Sequence, residues 1–224
     1  MDMSVNYMKN FDFKSLTHYK KPGAVLPSPD QFVGILSVSH HQCHFEPYQR
    51  DNIDYANDAY QFESGKHYEA FNLFVILESP HRFEYNASNQ PIGLAMGQTG
   101  YLFFSMFEQL LSKSKLPLKD RTYNVILGNA VQYQTSCGLN PIDRTIRDQN
   151  WIDIFEQHGG KTDLKQRIFA IKPRYTINLC SGGKNPNGLR AKVSQALDEF
   201  KLIKGKHYTE GNHPASWQHY PIID

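Results

Sequence analysis

Cysteine is scarce in this chain: three in 224 residues, Cys43, Cys137 and Cys180, widely spaced. An odd number at such spacing fits reduced thiols better than a disulfide framework. It also leaves too few thiolates for a four-cysteine iron–sulfur cluster. Long apolar runs are missing too. The strongest, such as Phe74 to Leu77 and Ile126 to Leu127, fall far short of the ~18–20 residues a bilayer span needs. The opening residues, Met1-Asp2-Met3-Ser4, carry an acid and no basic flank leading into an apolar stretch, so no secretory signal is visible and a cytoplasmic protein off the membrane is expected. Repeats and low-complexity tracts are absent. The composition, 40% hydrophobic, 13% aromatic and 21% charged, is that of a packed globule, which excludes disordered, collagenous and coiled-coil classes. A chain of this length buries a core without covalent staples. Its one seam is the Pro-rich stretch 21–29, so residues 1–30 are expected as an arm or first layer and 31–224 as one domain.

The formal net charge of +2 hides an asymmetry. Residues 1–112 hold seven Lys and Arg against twelve Asp and Glu, and residues 113–224 hold seventeen against ten. Within 161–206 there are eleven basic side chains and three acids. If these share one side of the fold they form a face for a polyanion; otherwise they are solvated helix faces.

Continuous apolar runs rich in strand formers occur at 72–77, 123–128 and 175–180, with a weaker one at 205–210. Between them, helical spacing is present at 101–112 (Leu102, Met106, Leu110), 145–157 (Ile146, Trp151, Ile154, Phe155), around Leu164, Ile168 and Ile171, and at Leu189, Val193, Leu197 and Phe200. Strands alternating with helices imply right-handed crossovers. The expected fold is therefore three-layer α/β/α with a central, mostly parallel four-stranded sheet. Functional groups in such sheets gather beyond the carboxyl ends of the strands. That directs attention to the segments Glu78-Ser79-Pro80-His81, Asn129-Ala130-Val131, Ser181-Gly182-Gly183-Lys184 and Asn212-His213-Pro214-Ala215-Ser216.

Those segments, in that order, resemble the uracil-DNA glycosylase superfamily over roughly residues 70–217. Leu77-Glu78-Ser79-Pro80 is similar to the family's water-activating motif in its Gly-Glu-x-Pro form. Gly93-Leu94-Ala95-Met96-Gly97-Gln98-Thr99-Gly100, with Phe103, resembles the base-stacking segment of the single-strand-selective monofunctional branch. Asn129 sits where the family keeps an asparagine that reads the base edge, Ser181-Gly182-Gly183 resembles its phosphate-gripping loop, and Asn212-His213-Pro214-Ala215-Ser216 its closing motif. The resemblance implies a glycosylase-like catalytic domain that acts on DNA as a monomer, without a cofactor. Leu77 stands in place of the usual Gly, His81 follows the proline, and the insert 82–91 is long. These departures at the pocket mouth lean towards a base other than plain uracil, such as a hypermodified cytosine of phage DNA removed in antiviral defence, with uracil removed in base excision repair ranked close to it.

The chemistry of base release asks for such residues. Cleaving a base from deoxyribose develops positive charge on the sugar and negative charge on the departing base. Glu78 could stabilise the sugar cation and orient or deprotonate the attacking water, and His213 could donate to the base oxygen as its charge grows. The base must leave the stack and enter a pocket. Asn129, with donor and acceptor on one amide, suits a pyrimidine edge, Phe103 or Met96 could cover the ring's face, and His81 stands at the gate. Ser181, Gly182, Gly183 and Lys184 could hold phosphates, and Ser216 with Trp217 could contact DNA, the indole as a wedge. No lysine occupies the candidate catalytic loops after the first strand or around His213, so a Schiff-base step lacks its nucleophile and a monofunctional enzyme is expected.

Competing motifs fall away. Ser181–Asn185 lacks the upstream glycine and the following Ser or Thr of a P-loop, and His67-Tyr68-Glu69 has no Pro-Cys-x-x-Cys partner for a zinc deaminase site. His40-His41-Gln42-Cys43-His44 crowds four potential ligands, but neighbours on a strand point to opposite faces, so no metal is expected. Two other functions stay open: a nucleic-acid-binding module that keeps the fold without catalysis, and a hydrolase of free nucleosides.

Overall fold

The computed structural model describes residues 26–48, 69–135, 144–182, 187–200, 207–219 and 223. Six strands form one sheet: β1 Gln31–Ser39, β2 Gln42–Pro47, β3 Phe71–Leu77, β4 Arg121–Asn129, β5 Tyr175–Asn178 and β6 His207–Glu210. Their order is β2-β1-β4-β3-β5-β6. The four strands read from apolar runs are present and run parallel to one another, Val75 lying opposite both Leu127 and Ile177. The expected count of four is corrected to six, because β1 and β2 add an antiparallel hairpin beside β4. The architecture is α/β with a mostly parallel sheet.

Alternation along β3 explains how two cores form from one apolar strand. Leu73, Val75 and Leu77 face one side of the sheet with Phe103, Phe107, Leu110 and Leu111 of helix α1 (Gln98–Lys113). Phe74 and Ile76 face the other. There they meet Trp151 of α2 (Arg144–Ile152) and Ile154 and Phe155 of the wider turn Asp153–Gln157 that extends it. Leu164, Ile168 and Ile171 of α3 (Gly160–Ile171) and Val193 and Leu197 of α4 (Leu189–Glu199) complete this second core. A strand buried on both faces reads as a continuous apolar run, which is why β3 and β4 were visible in the sequence.

Residues 26–30 pack against the rest of the described chain. Ser28 is fully buried and its N–H donates to the Gln132 carbonyl at 2.8 Å, while the Leu26 carbonyl accepts the Tyr85 hydroxyl. Asp30 accepts from Arg167 of α3 at 2.7 Å, and the same guanidinium pairs with Asp163 at 2.8 Å and donates to the carbonyls of Asn129 and Ala130. All three charged side chains are largely buried, at 13% exposure or less. Gly128 makes room for the Asp30 carboxylate, since a Cβ there would lie 2.2 Å from its Oδ1. Burial outweighs the attraction of Arg167 and pushes Asp30 up to about 6. This cluster ties the chain before β1 to the carboxyl end of β4. Residues 1–25 lie outside the described part.

Candidate functional site

The chain leaves β3 towards α1 on one face and leaves β5 towards α4 on the other, so the loops after these adjacent strands part and leave a crevice, the usual place for a site in an open α/β sheet. A cleft of about 840 Å³ occupies it, within the roughly 300–1,000 Å³ of small-molecule sites. Its walls include Glu78, His81, Phe83, Met96, Arg144, Arg147, Ser181, Arg190, His213 and Ser216. Glu78 and His213, 135 positions apart, thus open onto one hollow.

Glu78 is held from behind. Its carbonyl accepts the Trp151 indole N–H at 2.7 Å and the Val131 N–H at 3.1 Å, and Ser79 Oγ lies 2.9 Å from Thr135 Oγ1. The carboxylate itself pairs with Arg147 at 2.7 Å through Oε1 and accepts the Ser181 N–H at 3.1 Å through Oε2. Two of its roughly four acceptor sites are thereby used, leaving capacity for a water.

His213 precedes the short turn Pro214–Ser216 and its Nδ1 accepts the Ala215 N–H at 3.3 Å. A ring accepting at Nδ1 carries its proton on Nε2, so the neutral imidazole is a donor there. Burial pushes His213 below its ordinary 6.5; Glu78 opposes the fall and Arg147 adds to it. The loop is braced by the Trp217 indole N–H, which donates to the Asn212 carbonyl at 2.7 Å, and by Arg190, which donates to the Gly211 carbonyl at 2.7 Å and to Asn212 Oδ1 at 3.3 Å.

Other predicted residues fall differently. Met96 and His81 line the cleft, and burial with the nearby Arg82 charge lowers the His81 pKa. Phe103 does not cover the cleft: it is wholly buried, 4.4 Å from the Phe107 ring and 6.2 Å from Trp217. Trp217 is no wedge, because it too has no exposed surface. Trp217→Phe, which removes the indole donor to the Asn212 carbonyl, is expected to cost about 1–3 kcal/mol in chemical denaturation and to leave DNA affinity unchanged. Asn129 lies opposite Leu77 at the end of β4, but its amide is shut away from the cleft with no hydrogen-bond partner at either atom. Buried amides without partners are rare in native proteins. Ser181 and Gly182 line the cleft, and Gly183 and Lys184 lie outside the described residues. Ser216 lines it while its hydroxyl donates to the His213 carbonyl at 2.8 Å.

Among the described residues of the basic segment 161–206, one cation lines the cleft. Of these, Arg167 is buried behind the sheet, Lys161 pairs with Glu199, Lys192 pairs with Glu156 at 2.6 Å, and only Arg190 reaches the cleft. Beside Arg190, the other arginines of the wall are Arg144 and Arg147 of α2. Their i, i+3 spacing puts both guanidiniums on one helix face, a signal present in the sequence and overlooked. The entry to α1 accounts for the glycines of the Met96–Gly100 stretch: Gly97 has φ +86°, and a Cβ on Gly100 would fall 1.6 Å from the Ala95 carbonyl oxygen. Cys180 also borders the cleft, and burial, with Glu78 nearby, raises its thiol well above the ordinary value, which disfavours the thiolate.

Among the described residues no helix is long and apolar enough to cross a membrane. Comparisons of the chain with protein-family models, with curated proteins and with solved structures find no match.

Proposed function

We propose that this chain is a monofunctional DNA glycosylase that draws a uracil or modified pyrimidine out of DNA and hydrolyses its N-glycosidic bond, leaving an abasic site. The observation that carries the reading is the meeting of Glu78 and His213 in one cleft at the sheet's order-reversal point, beside three arginines. In the proposed step Glu78 orients a water towards the sugar carbon and accepts its proton, while the His213 Nε2–H stabilises the oxygen of the departing base. Backbone anchoring of both loops supplies the fixed geometry such catalysis requires. The α/β class with its mostly parallel sheet is the support that the fold lends to this reading. A cleft of this size has room for uracil and for a base with a bulky substituent such as a hypermodified cytosine of phage DNA. The proposed partner is DNA, met by a monomer that uses no cofactor.

The test is release of base from oligonucleotides carrying uracil, hydroxymethyluracil or glucosylated hydroxymethylcytosine, followed by alkali. Strand scission that disappears in Glu78→Gln supports the reading. One observation favours a rival, a binding module without catalysis: both Glu78 oxygens already have protein donors. Salt-sensitive binding with no scission on any of the three substrates would establish that rival.

The pH profile offers a second check. The working His213 is neutral, and its pKa is shifted down. The acid limb of kcat/KM is therefore expected below pH 6.5, with activity held above it. A limb assigned to His213 at higher pH would contradict the neutral-donor role.

A further inference from the structure

Seven large hydrophobic side chains stand exposed among the described residues, Leu26, Tyr48, Phe71, Phe83, Tyr101, Phe169 and Tyr208, and of these Phe83 alone lines the cleft. It is 53% exposed on the turn Arg82–Glu84, yet both sequence neighbours on its carboxyl side are buried, Glu84 at 3% and Tyr85 at 8%. The turn is tied down: the Phe83 N–H donates to His81 Nδ1 at 3.3 Å, the Glu84 N–H to the His81 carbonyl at 2.8 Å and the Ile92 N–H to the Glu84 carbonyl at 2.7 Å. Tyr85 and Pro91 pair across the insert, and Asn86 Oδ1 accepts the N–H groups of Ser88 and Gln90. The ring is held as well. His81 lies 4.8 Å from it between centroids, the Arg82 guanidinium is 5.0 Å from its centre, and Gly97 comes close enough that a Cβ there would be 3.2 Å from Phe83 Cδ2.

An aromatic ring fixed by its neighbours and left facing an arginine-lined cleft suits a flat, electron-rich partner attached to an anionic backbone. We infer that Phe83 is the stacking platform for a nucleobase at the mouth of this cleft, a role the buried Phe103 does not fill, with the exposed Arg144 facing the phosphates. The inference rests on the reading of the cleft as a DNA site and adds the residue that grips the base. It also explains the insert 82–91, which carries one aromatic face to the rim.

The test uses the full chain and a single-stranded oligodeoxynucleotide bearing one 2-aminopurine, with affinity read by anisotropy and stacking by quenching of the 2-aminopurine. Phe83→Ala and Phe83→Leu are expected to weaken binding by roughly 5- to 150-fold and to reduce quenching, and Phe83→Trp to restore both. Melting temperatures should not move, because the side chain is exposed. Equal affinity of Phe83→Ala and the wild type, or full retention by Phe83→Leu, overturns the platform; where the wild type still releases base, the glycosylase reading survives that result. Phe83-dependent binding without base release from any substrate leaves the platform standing and removes the glycosylase reading. A wild-type chain that binds no oligonucleotide overturns both.

Discussion

Replacing Glu78 with Gln is expected to lower base release by about 10²–10⁴-fold while the protein stays folded. The amide keeps the size of the side chain and can still accept the Ser181 N–H. It loses the charge that stabilises the sugar cation and the basicity that takes a proton from water. Arg147 is not orphaned, because its Nε and Nη2 also donate to Asp148 Oδ1 at 2.8 and 2.5 Å. The lost ion pair should cost about 1–3 kcal/mol, so rates compared well below the melting transition isolate chemistry from stability. Single-turnover base release is the measurement. Retained activity in Glu78→Gln would make the carboxylate a loop anchor and move the catalytic assignment elsewhere.

Arg167→Met should produce the largest loss of stability, about 3–5 kcal/mol, or roughly 6–20 °C in melting temperature for a domain of this size. The substitution strips the common partner from Asp30 and Asp163, leaving two carboxylates buried together, and releases the Asn129 and Ala130 carbonyls. The pH dependence carries the diagnosis. Asp30 already has a folded-state pKa near 6 against an ordinary 3.8, and without the guanidinium it rises further. A raised carboxyl pKa means that the native state binds more protons than the unfolded chain, so stability falls as pH rises through that window. The deficit of Arg167→Met relative to wild type should therefore narrow as pH is lowered from 7 to 5 in thermal denaturation. A deficit that is flat with pH would place the cost in lost packing and carbonyl bonds instead.

The legible part of the fold was the part whose physics is local. Strands β3, β4 and β5 are buried on both faces and declare themselves as apolar runs, and α1 to α4 by their spacing. The hairpin β1–β2 did not. Phe32, Val33, Leu36 and Val38 are buried but interrupted by Gly34 and Ser37, and β2 buries only Phe45 fully. Its turn is made by His40 and His41, both at positive φ, where Gly or Asn would have signalled a tight connection. At the site, the loops bearing Glu78, Ser181 and His213 were found because strand ends can be located from the sequence. What escaped was the direction of each side chain. Phe103 and Trp217 face inward together, the Asn129 amide is buried, and Arg147 reaches Glu78 across 69 positions. Nothing in a one-dimensional pattern encodes such meetings.

The chain has only two tryptophans. The indole of Trp151 is fastened to the peptide of Glu78, and that of Trp217 to the peptide just before His213. The ultraviolet emission of the unmodified protein thus arises beside the two proposed working groups, without any dye. A shift in its colour on mixing with an oligonucleotide would report rearrangement at that pair of anchors in real time, and a stopped-flow trace could order that rearrangement against bond cleavage.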